Sequence, residues 1–158
     1  MSKFFGSEIT DMESLITNTL VELAPDFDII SVFKPARQLK FIADQELRGV
    51  RDAESWEFKP DWVVVLKDRQ NSEKEVAFLN VSKGTLGLTE LGELRVMALL
   101  AQPRIAIQLA PLGLSRDLYS VWLDAEIQDR IANFGKSKMQ VATFSNFQSL
   151  TEAPLLFV

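Results

Sequence analysis

Five consecutive apolar residues, Trp62-Val63-Val64-Val65-Leu66, constrain this chain more than any other segment. Strand side chains point alternately to opposite faces, so a run apolar at every position must be buried on both. The run predicts a central strand in a sheet covered on both sides. Lys59-Pro60-Asp61 precedes it and a polar turn over 68–74 follows. The shortness of that turn predicts an antiparallel hairpin, with 75–82 as the second strand.

The remaining pattern is read outward from this hairpin. Thr10-x-x-Glu13 fits a capping box, in which each side chain satisfies a backbone donor at a helix start. Met12, Ile16, Leu20 and Leu23 then recur at helical spacing, and Pro25 stops the helix. Residues 27–33 read as a strand, with Phe27, Ile29, Ser31 and Phe33 on one face and Asp28, Ile30 and Val32 on the other. Residues 35–50 read as a helix with Leu39, Ile42 and Leu47 inward. A helix over 89–101 turns Leu91, Leu94, Ala98 and Ala101 to one side and ends before Pro103. Residues 104–109 form a strand. Ser115 caps a helix over 115–133, which Gly135 closes in a left-handed conformation. The last strand covers 139–144. Leu155-Leu156-Phe157-Val158 is an apolar tail expected to dock on the body or on a partner.

This order predicts an α/β fold, a mixed central sheet flanked by helices on both faces. The length of 158 residues suits a single α/β domain over 1–158. Eleven Phe and three Trp give it too much apolar area to remain unfolded. No apolar run is long enough to span a membrane. The first residues read as no signal peptide, and the chain is expected to be cytoplasmic.

The chain has no cysteine and no histidine. Disulfides, thiolate and imidazole metal sites, and Ser-His or Cys-His catalysis are thereby excluded for these residues. A magnesium site remains open, because magnesium needs only oxygen ligands.

Pro60-Asp61-Trp62 opening one strand and Val81-Ser82-Lys83-Gly84 closing the next resembles the core of the PD-(D/E)xK, or restriction-endonuclease-like, nucleases. It is most similar to the nuclease domain of type III restriction subunits, where a Pro-Asp-Trp strand precedes one ending in Glu-Thr-Lys-Gly. The strand–strand–helix–strand order agrees with that fold. The resemblance implies a magnesium-dependent nuclease in which Asp61 is a metal ligand and Lys83 the catalytic lysine. The metal would polarise the phosphate and acidify a water. The chain departs from the pattern at Val81, where a Glu or Asp is expected. Asn80 and Ser82 lie one residue off and are expected on the opposite face. Glu90 or Glu93 on the following helix, Glu13 and Glu46 are the candidates to replace the lost acid.

Nucleic acid is a candidate partner on a second ground. Between residues 34 and 51 lie Lys34, Arg37, Lys40, Arg48 and Arg51, against Asp44 and Glu46 alone. The net charge of −5 opposes tight nonspecific binding but leaves room for a local basic face. Gly84-Thr85-Leu86-Gly87 lacks the spacing of a phosphate-binding loop and reads as a turn. Trp56, Trp62 and Trp122 read as core. Three functions remain open from the residues: a metal-dependent nuclease, a non-catalytic member of that fold binding nucleic acid or protein, and an assembly or homo-oligomeric subunit held by its apolar tail.

Overall fold

The computed structural model describes residues 8–135 and 137–142. Its elements are α1 (Glu8–Leu23), β1 (Phe27–Phe33), β2 (Trp62–Asp68), β3 (Lys74–Val81), α2 (Leu88–Ala101), β4 (Ile105–Leu109), α3 (Arg116–Trp122), α4 (Ala125–Ala132), β5 (Asn133–Phe134) and β6 (Ser137–Ala142). The strands form one mixed sheet in the order β1-β2-β3-β4-β6-β5. β1, β2 and β3 make an antiparallel meander. β4 lies parallel to β3, and β6 parallel to β4. The mixed α/β architecture expected from the pattern is therefore present. Among the described residues no helix is long and apolar enough to cross a membrane.

The apolar run becomes β2, and its side chains divide the molecule into two cores. Trp62, Val64 and Leu66 face Met12, Ile16 and Leu20 of α1, together with Leu79 and Ile107. Val63 and Val65 face the other way, toward Phe78, Leu39, Trp56, and Leu91 and Leu94 of α2. All five are essentially inaccessible to solvent. Phe78 anchors the second core. Its ring lies edge-on to Trp56 and Phe58 at centroid separations of 6.0 and 5.9 Å, a favoured aromatic geometry.

Several elements depart from the sequence expectation, each for a local reason. The first helix begins by Glu8, so Thr10 lies within it rather than at its cap. β1 carries an extra residue, because Ile29 opposes Leu66 while Ser31 opposes the adjacent Val65. Ile30 is the bulged residue, and beyond it the alternation reverses. Val32 therefore joins Ile29 on the α1 side, and Phe33 turns to the other core.

Residues 35–50 do not form one helix. Gln38 is extended, and only a 3-10 turn at Leu39–Ile42 follows. The amides of Leu39 and Lys40 donate to the carbonyls of Phe58 and Trp56, both at 3.0 Å. Tertiary pairing has taken the donors that a continuous helix would use. Leu39, Ile42 and Leu47 are still the inward residues.

The helix expected over 115–133 is two helices. Ser115 caps the first, accepting from the Leu118 amide. Asp124 leaves the helical region and caps the second, accepting from the amides of Glu126 and Ile127. Gly135 does adopt a positive φ of 55°, but in the turn between β5 and β6 and not at a helix end. The last strand is described over Ser137–Ala142, and positions 143–144 of the expected strand lie outside the described residues. The apolar tail lies outside the described residues.

Because Phe78 sits where the aromatic cluster meets the sheet, Phe78→Ala is expected to cost about 3–5 kcal/mol. Urea unfolding followed by tryptophan fluorescence measures this directly.

Candidate functional site

Open α/β sheets bind their ligands beyond the carboxyl ends of parallel strands. Here that end is formed by the last residues of β3, β4 and β6, beside the start of β2. Both halves of the sequence motif converge on it. Asp61 immediately precedes β2, and Lys83 follows β3 by two residues. The proximity follows from the hairpin register. Trp62 opposes Leu79, so one further step sets Asp61 across from Asn80.

Asp61 is held there by two hydrogen bonds in opposite senses. Its amide donates to the Asn80 side-chain oxygen at 2.8 Å. Its carboxylate Oδ2 accepts from the Val81 amide at 2.7 Å. The two residues thus extend the β2–β3 ladder past its last main-chain pair, using side chains as substitutes for backbone. Alternation sets Asn80 on the face opposite Val81, as expected, and the register also makes it the cross-strand neighbour of Asp61, whose main-chain amide its carboxamide oxygen meets.

Val81 occupies the position of the missing acid. Its side chain is half-buried and packs against the α1-side core. The neighbouring Ser82 is buried and accepts a hydrogen bond at 3.0 Å from Gln108 Nε2 of β4. Gln108 is itself almost wholly inaccessible. This polar pair ties the ends of β3 and β4 together. Sequence reasoning missed it, although a lone glutamine in the otherwise apolar strand Ile105–Leu109 was its signal.

The other candidates are distributed around the molecule. Lys83 is exposed and makes no side-chain bond among the described residues. Glu13 on α1, Glu46 in the loop after β1, and Glu93 on α2 are exposed, and Glu90 is half-buried in the first turn of α2. Magnesium asks for several oxygen ligands in near-octahedral array. Among the described residues, no three carboxylates are gathered in a way that could hold a metal ion. With Asp61 engaged by the main chain and an aliphatic side chain at position 81, the described donors do not fit a magnesium site.

The basic run divides between the two ends of β2. Lys34 leaves β1 at the Asp61 end, its ammonium 5.5 Å from the Trp62 ring centroid. Arg37 and Lys40 flank Phe41 at 5.5 and 5.1 Å from its centroid. Lys40 also pairs with Glu57 at 2.9 Å. Phe41 is 55% exposed, large for an aromatic residue. Arg48 and Arg51 lie at the far end. The Arg48 carbonyl accepts from Lys74 Nζ, and Arg51 lines a cleft of about 320 Å³ with Trp56, Glu73 and Lys74. One continuous basic face, as the spacing suggested, is therefore not what the fold builds. Trp56, Trp62 and Trp122 are all buried, as expected of core residues.

No protein-family model matches this sequence, and neither the curated proteins nor the solved structures contain a significant match.

Removing the Asp61 carboxylate strips the Val81 amide of its acceptor. Asp61→Ala is expected to lower stability by about 1–2 kcal/mol, and Asp61→Asn by less, since an amide oxygen can still accept. Paired urea titrations of the two variants check the order.

Proposed function

We propose that this chain is a nuclease-like fold without a working metal centre, and that it acts as a nucleic-acid-binding module. The architecture supports the first half. A helix, a three-stranded antiparallel meander, a crossover helix and a parallel strand follow one another, with the Pro-Asp and Lys-Gly ends of the hairpin side by side.

One observation carries the reading that the site is not catalytic. One oxygen of the carboxylate that would hold the metal already accepts from the Val81 amide, and the residue that would supply the second carboxylate is an aliphatic side chain packed against a core. A metal would be left with the other Asp61 oxygen and would find no cluster of further acids beside it among the described residues.

The binding surface in this reading is Phe41 with Arg37, Lys40 and Lys34. An exposed ring offers a face on which an unpaired base stacks, whatever its identity. The flanking cations meet the phosphates on either side. Single strands are favoured over duplex, whose bases are already stacked. Lys40 shares its charge with Glu57, and the whole chain is acidic, so the affinity is modest and sensitive to salt.

Fluorescence anisotropy with labelled single-stranded DNA and RNA, and with duplex, tests this. Phe41→Ala is expected to weaken single-strand binding about tenfold, in line with one lost stacking contact. Three phosphate contacts predict a slope of log K against log salt of about −2. Asp61→Asn and Lys83→Ala bind as the parent does, and no substrate is cut with magnesium or manganese. Cleavage that both of those substitutions abolish would return the chain to the metal-dependent nucleases. Absence of binding to every oligonucleotide would remove the nucleic-acid half of the reading.

A further inference from the structure

α2 is apolar on the side that faces away from the sheet as well as on the side that faces it. Leu91, Leu94, Met97 and Ala98 are buried against the second core. Leu88, Val96, Leu99 and Leu100 point outward and are 54, 55, 47 and 65% exposed. With Gly92 they fall at spacings of three, four and one, which place them on one arc of the helix. Two charges flank that arc, Glu93 at one edge and the half-buried Arg95 at the other, which donates to the Ile131 and Asn133 carbonyls. A Cβ built at Gly92 would meet no atom within 4 Å, so the middle of the stripe is also a shallow, open notch. A helix apolar on two faces is normally covered on both.

We propose that this outer face of α2 is the docking surface for the chain's own carboxyl-terminal segment, residues 143–158. Three observations select that occupant. The first is where the segment starts. Ala142 ends β6, and its carbonyl accepts from the Ala110 amide at 2.7 Å. Gly113, in the turn that follows Ala110, accepts at 2.9 Å from Leu86, two residues before α2 begins. The described chain therefore ends against the Ala110–Gly113 turn, which is itself bonded to the residue two before α2.

The second is reach. The stripe from Leu88 to Leu100 is about 18 Å long at 1.5 Å per residue. The segment spans up to about 50 Å when extended, ample to run along it.

The third is chemistry. The segment carries Phe144, Phe147, Leu150, Leu155, Leu156 and Phe157, and its one charged residue is Glu152. A nearly neutral apolar strip suits an apolar face whose charges, Glu93 and Arg95, lie at its edges. A second copy of α2 fits less well, because antiparallel self-pairing sets the two Glu93 side chains together on one rim and the two Arg95 side chains together on the other.

The absence of cysteine from the chain makes the test clean. Val96→Cys is combined in turn with Phe147→Cys, Leu150→Cys and Leu156→Cys in the full chain, oxidised at low protein concentration and resolved on non-reducing gels. Leu123→Cys on α3 replaces Val96→Cys in a parallel series. The expected result is an intramolecular bridge from Val96→Cys to at least one position of the segment, and none from Leu123→Cys. Bridges between two chains, bridges only to Leu123→Cys, or no bridge in the Val96→Cys series would each overturn the proposal. Val96→Asp supplies an independent readout. It should speed proteolytic cleavage within 143–158 several-fold, and an unchanged rate counts against docking on α2.

Discussion

β2 is the constraint from which the rest of this structure follows. Its side chains enter two cores in strict alternation, so its register with β3 cannot slip by one residue without exchanging the contents of both. Trp62 and Val64 would then face α2, and Val63 and Val65 would face α1. The cost of that exchange holds the meander in place. The two bonds at its open end, Asp61 to the Val81 amide and Asn80 to the Asp61 amide, finish the ladder where main-chain pairing has run out.

This gives Pro60-Asp61 a physical task that needs no metal. The same carboxylate has two oxygens for a cation, a backbone amide or both, and the surroundings decide which it meets. A second carboxylate at position 81 would repel the first and favour a cation between them. An isopropyl group there adds no such charge, and it packs against the α1-side core.

The fold was legible where one local rule matched the tertiary environment. The apolar run, the hairpin, the crossover helix and the parallel strand all rest on burial patterns that the sheet preserves. It was illegible where a non-local contact or a single inserted residue intervened. The inward residues of 35–50 have helical spacing, yet the carbonyls of Trp56 and Phe58 take the amides of Leu39 and Lys40. Ile30 reverses the faces of β1 by bulging, which alternation alone cannot reveal. Asp124 had the chemistry of a cap, but a continuous helical stripe concealed it. At the site, the meeting of Asp61 with the end of β3 was readable from the hairpin. The roles of Asn80 and Gln108 were not, because each depends on which residue of the neighbouring strand stands opposite.

Hydrogen exchange at the Val81 amide, followed by NMR with and without millimolar manganese, tests the central claim most directly. If the Asp61 carboxylate belongs to the main chain, this amide is protected in the parent protein, exposed in Asp61→Ala, and unaffected by the metal. A Val81 amide that loses protection when manganese is added, with paramagnetic broadening centred on Asp61, would mean that the carboxylate turns to a cation and that the site is a metal centre after all.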